Sequence, residues 1–179
     1  DDNFYADGTP NFPDGGSNLV VGGAGNDQIA SHASGNVIAF NAGDGQDTVY
    51  AREKLILSLG GGIAPSSLSL SQDGNDLVLQ TGGGDSIRLT REFEPDPTAW
   101  PQITLQMFGS VHLYDFNAVI ADFYAALAAG PSLAGFPLDG VLQSHETSVS
   151  EKDAIGGALA YHYGTVGDLD ALSDAAIRE

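Results

Sequence analysis

The feature that most constrains this chain is a nine-residue period in its first half. Asn18, Asp27 and Asn36 are nine positions apart. The apolar residues two places later keep the same spacing: Val20, Ile29 and Ile38. Residues 22–30, GGAGNDQIA, match the pattern G-G-x-G-x-D-x-apolar-x at every defined place. A unit this short buries its apolar member only by stacking on its neighbours, so the period predicts a repetitive β architecture.

Other units follow the same pattern less completely. Residues 42–49 again place a glycine two positions before Asp47 and an apolar residue two positions after it. Asp76 and Asp85, within residues 73–78 and 82–87, are once more nine apart. Residues 13–21 and 31–39 carry asparagine in the acidic place. We therefore expect a mainly β chain that folds as a right-handed parallel β-roll of nine-residue repeats.

The sequence changes after about residue 115, where alanine and leucine replace glycine. Asp115 is a candidate N-cap for a helix that ends at Gly130, and three further helices are expected. Their predicted ranges are 138–145, 150–164 and 168–177. The sequence thus predicts a β-roll with flanking strands over residues 1–109 and a small helical cap over residues 110–179.

The glycine-aspartate turns have the chemistry of a calcium site. Glycine permits positive φ, so that backbone carbonyls can face inward, and the aspartate adds a carboxylate. One turn supplies about half of the six to eight oxygens that Ca²⁺ prefers. In a roll, the turn at 22–27 stacks on the turn at 42–47, so Asp27 and Asp47 should share one ion. The remaining predicted ligand positions in these turns are Gly22, Ala24, Gly25, Gly43, Asp44 and Gly45.

Other candidate ligands lie outside these two turns. On the opposite side Asn18 should stack on Asn36, and we expect a weak or absent site there because two neutral amides do not offset the charge of the ion. Later in the sequence the candidates are Asp76, Gly83 and Asp85.

The predicted core of the roll is thin. Its members are the apolar residues of the units: Val20, Ile29, Ile38, Val49, Val78 and Ile87. Because the surrounding turns are acidic, the metal-free chain should repel itself and remain largely unfolded until calcium binds.

Charge and composition exclude several classes of protein. Lys and Arg number 6 against 24 Asp and Glu, and the formal net charge is −18. Such a field repels nucleic acid and attracts multivalent cations. Without cysteine, neither disulfides nor thiolate metal sites can form. Asp122 interrupts the longest apolar stretch, residues 118–129, so no membrane-spanning segment is expected. The start and end suggest a piece of a larger protein.

The chain resembles the RTX (repeats-in-toxin, haemolysin-type) calcium-binding proteins. The resemblance rests on the unit at 22–30, the variant at 43–49 and the turns at 73–76 and 83–85. This resemblance implies export by type I secretion, calcium-triggered folding outside the cell or at its surface, and membership of a toxin, adhesin or exoenzyme. It also implies that neighbouring repeats of the same chain are partners. The sequence departs from the family in having one complete unit and no long array.

Three functions remain open from the sequence. The leading one is a structural calcium-binding module, and the second is a carbohydrate- or receptor-binding module in which calcium bridges the ligand. The third is an enzyme in the tail, or self-processing at Asp96-Pro97, although we interpret residues 94–97 as a proline-rich linker. No nucleophile elbow, phosphate loop or zinc H-E-x-x-H motif occurs, so we expect no enzyme.

Overall fold

A computed structural model describes residues 2–6, 18–32, 34–60, 62–90, 100–107, 112–130 and 135–147. In chain order the strands are β1 (Asn3–Ala6), β2 (Leu19–Val21), β3 (Gln28–Ser31), β4 (Asn36–Phe40), β5 (Gln46–Ala51), β6 (Leu55–Leu59), β7 (Ser69–Asp73), β8 (Asp76–Gly82), β9 (Asp85–Thr90), β10 (Ile103–Met107), β11 (His112–Asp115), β12 (Phe136–Pro137) and β13 (Glu146–Thr147). The helices are α1 (Phe116–Ala129) and α2 (Val141–Ser144), with a short 3-10 helix at Pro65–Ser67.

The described strands form two sheets. The first has the spatial order β1-β3-β5-β9-β8-β7-β12, and the second has the order β13-β11-β10-β6-β4-β2. From β1 to β6 the chain alternates between the sheets, so that β1, β3, β5 and β9 pair in parallel in one sheet. In the other sheet β2, β4, β6 and β10 also pair in parallel. The remaining neighbours in both sheets are antiparallel.

The prediction of a parallel β-roll is therefore wrong, because both sheets are mixed. The cause lies in the turns at Gly74-Asn75 and Gly83-Gly84, which join β7 to β8 and β8 to β9. Gly74, Gly83 and Gly84 all have positive φ, of 63°, 66° and 97°. Two-residue turns of this kind reverse the chain into an antiparallel hairpin, whereas a parallel neighbour needs a longer crossover. These segments match the repeat in sequence but fold as hairpin turns.

The main core lies between the two sheets. Five of the six predicted core residues belong to it: Val20, Ile29, Ile38, Val49 and Ile87. Val78 is buried as well, at 7% exposure, but it lies outside the main core, which its neighbours Leu77 and Leu79 enter. Since successive side chains on a strand point to opposite faces, Val78 lies on the other face of the first sheet. The spacing of Val78 matches the repeat, but the hairpins that β8 forms with β7 and β9 set its orientation.

Helix α1 agrees with its predicted limits. Asp115 caps it, since its Oδ1 accepts a hydrogen bond from the N–H of Ala118 at 3.2 Å. At the other end Gly130 is the C-cap and its N–H donates to the carbonyl of Ala126 at 3.0 Å. Four residues of α1 are buried in the main core: Phe116, Val119, Ile120 and Phe123.

The described part of the predicted cap contributes strands as well as helices. Strand β11 extends the second sheet beside β10, and β12 pairs with β7 at the edge of the first sheet. The predicted helix at 138–145 is reduced to α2. The predicted helices at 150–164 and 168–177, and the Asp96-Pro97 bond, lie outside the described residues. No helix in the described ranges is long and apolar enough to cross a membrane.

Candidate metal centre

The two turns predicted to share an ion lie side by side. Strands β3 and β5, which follow them, pair in parallel with Gln28 opposite Thr48. An isolated bridge joins Gly25 to Gly45. The N–H of Gly25 donates to the carbonyl of Asp44 at 2.8 Å, so the backbones of the turns are directly hydrogen-bonded. The turn at 22–27 therefore lies against the turn at 42–47.

The carboxylates of Asp27 and Asp47 are both buried, at 1% and 3% exposure. Oδ1 of Asp47 accepts a hydrogen bond from the N–H of Asp27 at 2.9 Å. The Oδ2 atoms approach Gly22, where an added β-carbon would lie 2.7 Å from Asp27 Oδ2 and 3.2 Å from Asp47 Oδ2. Two carboxylate oxygens thus border one small space that exists because residue 22 has no side chain.

The turns leave no room for side chains at a second glycine. Gly45 has a φ of 99°, and an added β-carbon would lie 1.9 Å from the carbonyl oxygen of Gly25. Only glycine adopts this conformation readily and permits so close a backbone approach. This packing holds the backbones of the two turns in direct contact.

Burial raises the pKa values of Asp47 and Asp44. Desolvation, opposed by the hydrogen bond from the N–H of Asp27 and reinforced by the charges of Asp27 and Asp44, raises the pKa of Asp47 to about 6. Desolvation also raises the pKa of Asp44, against a 2.8 Å hydrogen bond from the N–H of Asn41. The charges of Asp85 and Asp27 add to that rise. The negative charge at the turns is therefore electrostatically unfavourable, which is the condition that a bound cation relieves.

The asparagine side of the structure is arranged differently. Oδ1 of Asn36 accepts hydrogen bonds from both the N–H and the Nδ2 of Asn18, each at 3.0 Å. Nδ2 of Asn36 donates to Oγ of Ser31 at 3.0 Å. The buried amide of Asn36 links its turn to the turn at Asn18, as the carboxylate of Asp47 links the turn at 42–47 to the turn at 22–27. Unlike that carboxylate, the amide carries no charge. Nothing in this arrangement requires a cation.

The later candidate ligands do not join the pair. Asp76 forms an ion pair with Nη1 of Arg88 at 3.1 Å, at the far end of β9 from Asp85. Oδ2 of Asp85 accepts a hydrogen bond from the N–H of Gly43 at 2.6 Å. Gly83 lies in the exposed turn before β9. Since Asp47 pairs with Ile87, Asp85 is two residues out of line with the predicted repeat.

Two contributors to the centre were missed by sequence reasoning. Oδ1 of Asn26 accepts a hydrogen bond from the N–H of Gln46 at 2.9 Å, which adds a second link between the turns. The N–H of Asp2 donates to Oδ1 of Asp27. The signal for Asp2 was present, because it stands two positions before Phe4 as Asp27 stands before Ile29.

Among the described residues no group of three or more His, Asp or Glu side chains is placed to hold a metal ion. The predicted site takes two carboxylates and completes its oxygen ligands with backbone carbonyls, so it does not need a third acid. No protein-family model matches the sequence, and no curated protein matches it at a significant level.

Proposed function

We propose that this chain is a calcium-binding structural module of a secreted protein of the RTX kind, an adhesin or a toxin, and not an enzyme. The observation that supports this most is the approach of two buried carboxylate oxygens, Asp27 Oδ2 and Asp47 Oδ2, to the space beside Gly22. The carboxylates of Asp27 and Asp47 would hold the ion, together with carbonyl oxygens of the turns around Gly22, Ala24, Gly43 and Gly45.

The available ligands favour calcium over other divalent cations. Both turns offer only oxygen, whereas Zn²⁺ prefers the nitrogen and sulfur of His and Cys. Mg²⁺ demands near-ideal octahedral geometry and keeps several waters. Ca²⁺ accepts six to eight oxygens in flexible geometry, including carbonyls from glycine-rich turns. Carboxylates paired with such turns therefore suit Ca²⁺ best.

The role of the ion is to make folding favourable. Asp27 and Asp47 stand at the point where their turns enter the paired strands β3 and β5. In the absence of a cation, two buried negative charges oppose the pairing of those strands. Calcium offsets that charge, so binding and folding are coupled. A protein that folds in this way remains unfolded where calcium is scarce and folds at the roughly millimolar concentrations that extracellular modules require.

The burial of Asp27 and Asp47 favours a structural site over a ligand-bridging one. A bridging ion needs open coordination positions that a sugar or receptor group can reach. Carboxylates at 1% and 3% exposure offer little access. The carbohydrate- or receptor-binding alternative therefore needs a second, more exposed ion.

The test is a calcium titration of folding, followed by circular dichroism. Wild-type protein should change from a largely disordered spectrum in chelator to a β-rich one in calcium. Asp27→Ala and Asp47→Ala should each move the calcium midpoint upward strongly, because each removes a charged ligand. Asn18→Ala is the matched control and should leave the midpoint nearly unchanged. Equal shifts for all three variants, or a spectrum insensitive to calcium, would refute the proposal.

A further inference from the structure

The outward side of the first sheet is polar, in contrast to its inward side, which forms part of the main core. Alternate residues of its strands, such as Val49, Leu79 and Ile87, belong to that core. The residues between them lie on the outward side, because successive side chains on a strand point to opposite faces. Six uncharged residues of the outward side are called here the polar face: Gln28, Thr48, Tyr50, Ser71, Gln80 and Ser86.

The strand register arranges the polar face in rows that run across the sheet. Gln28 lies opposite Thr48, and Thr48 lies opposite Arg88. In the next row, two residues along the strands, Ser86 lies opposite Gln80. Neighbouring strands are about 4.8 Å apart, so a row across β3, β5, β9, β8 and β7 extends over about 19 Å. A long, flat surface of this kind suits a polymer better than a small molecule, which proteins bind in concave pockets.

The side chains of the polar face are accessible and have hydrogen-bonding groups to offer. Gln28 is exposed, and the others are partly exposed except Ser86, which is 8% exposed. By the strand register, Ser86 lies between two longer side chains, Gln46 and Gln80. Within the described ranges, none of the six side chains takes part in a hydrogen bond. Their amides and hydroxyls are therefore available to a ligand.

The charge on this side of the sheet is small, although the chain carries a formal net charge of −18. Among the outward residues of β3, β5, β7, β8 and β9, the charged ones are Arg88 and two acids that it binds. Nη2 of Arg88 lies 2.6 Å from Oδ2 of Asp73, and Nη1 lies 3.1 Å from Oδ2 of Asp76. The acidic remainder of the chain repels an anionic ligand, and the two paired acids offer little to a cationic one. A neutral ligand is therefore favoured.

Sugars match the chemistry of the polar face. The amide of Gln80 and the hydroxyl of Ser71 can each donate and accept hydrogen bonds, as a sugar hydroxyl does. The ring of Tyr50 offers a flat apolar surface with a polar tip, against which the C–H face of a hexose can pack. The strand spacing of about 4.8 Å is close to the length of one sugar unit in an extended polysaccharide. Successive sugars laid along a row would therefore meet successive strands.

We propose that the polar face binds a neutral polysaccharide of hexose units, which lies across the strands of the first sheet. The amides and hydroxyls of the face bond to sugar hydroxyls, and one sugar ring packs on Tyr50. No ion bridges the protein and the sugar in this contact. The polar face requires the folded sheet but not a calcium ion, so this proposal and that of the calcium site can fail separately.

Affinity electrophoresis of the full chain tests the proposal. A protein of net charge −18 migrates through a native gel, whereas a neutral polymer cast into the gel stays in place. The probes are hydroxyethyl cellulose, laminarin and galactomannan, with calcium present and a non-binding reference protein in the next lane. At least one of these neutral polymers should retard the wild type, and the anionic carboxymethyl cellulose should not. Retardation by none of the three, or equal retardation by carboxymethyl cellulose, overturns the proposal.

Circular dichroism of the same samples distinguishes the two proposals. If the wild type is folded in chelator, calcium-coupled folding is refuted. The retardation should then be the same in chelator as in calcium. A retardation that disappears in chelator while the protein stays folded overturns the present proposal, because the contact then depends on an ion.

Variants locate the contact on the polar face. Tyr50→Leu removes the ring but keeps an apolar side chain, and it should raise the dissociation constant for the retarding polymer at least about tenfold. Gln80→Ala should also weaken binding, and it decides the matter if Tyr50→Leu does not fold. The matched control is Gln72→Ala, because Gln72 is exposed on β7 but follows Ser71 and so belongs to the opposite side of the strand. Wild-type affinity in the folded Tyr50→Leu and Gln80→Ala variants, or an equal loss in Gln72→Ala, overturns the proposal.

Discussion

Replacing Asp47 by asparagine should have opposite effects in the absence and presence of calcium. The amide keeps an oxygen that can accept the 2.9 Å hydrogen bond from the N–H of Asp27, and it removes the charge. The pKa of Asp47 is about 6 in the folded chain, against an ordinary value of 3.8. At 1.36 kcal/mol for each pH unit, the buried charge costs about 3 kcal/mol near pH 7. In calcium the same carboxylate is a ligand, and its loss removes stabilisation.

The assay is folding driven by trimethylamine oxide at pH 7, because this osmolyte lets a chain that is unfolded without metal reach the folded state. In chelator, Asp47→Asn should fold at a lower osmolyte concentration than the wild type. In calcium at about a thousand times the dissociation constant the order should reverse, because binding then stabilises the wild type by about 4.1 kcal/mol, which exceeds the cost of the buried charge.

The control is Asp139→Asn, which removes one negative charge from an exposed position outside the turns. It should change neither midpoint appreciably. If Asp47→Asn folds no more readily than the wild type in chelator, the buried charge is not the obstacle to folding. If it keeps the full calcium response, Asp47 is not a ligand.

Three further predictions concern the same region. In calcium-depleted buffer the folded state should lose stability as the pH rises from 3.8 to about 6, because over that range Asp47 keeps its proton only when folded; this slope, read from osmolyte midpoints, should be smaller in Asp47→Asn, where Asp44 still has a raised pKa. Gly22→Ala should weaken the calcium response in circular dichroism, because its β-carbon would lie 2.7 Å from Asp27 Oδ2, and an unchanged midpoint would show that the space is not used. Arg88→Gln should lower stability by about 1 kcal/mol or less in urea unfolding, because its ion pairs with Asp73 and Asp76 are partly exposed, and it should not move the calcium midpoint.

The sequence predicts the local features of this protein well where one strong signal is present. The complete unit at 22–30 correctly places its turn against the turn at 42–47. The Asp115 cap and the end of α1 at Gly130 also follow from single residues with defined roles. In each case one residue type suffices to fix the local backbone.

The errors arise where one pattern is compatible with two folds. Gly74-Asn75 and Gly83-Gly84 suit both a repeat turn and a two-residue hairpin, and spacing alone does not distinguish them. Because β8 forms hairpins with its neighbours, Val78 lies on the face of the first sheet opposite the main core. The same hairpins bring β9 directly beside β5. Asp85 consequently hydrogen-bonds to Gly43 instead of standing in line with Asp47.

The sequence alone also does not predict which distant side chains contact each other in the folded chain. The pairing of Asp76 with Arg88 depends on the antiparallel register of β8 and β9. The contact of Asp2 with Asp27 joins residues 25 positions apart.

The most direct test of the account is a crystal structure of the protein grown in calcium, with anomalous diffraction to locate the ion. If the two turns hold calcium, an anomalous peak should lie beside Gly22, within coordination distance of Asp27 Oδ2 and Asp47 Oδ2 and surrounded by carbonyl oxygens of the two turns. A space beside Gly22 that holds water or no ion, or a calcium ion bound elsewhere without either carboxylate, would contradict it.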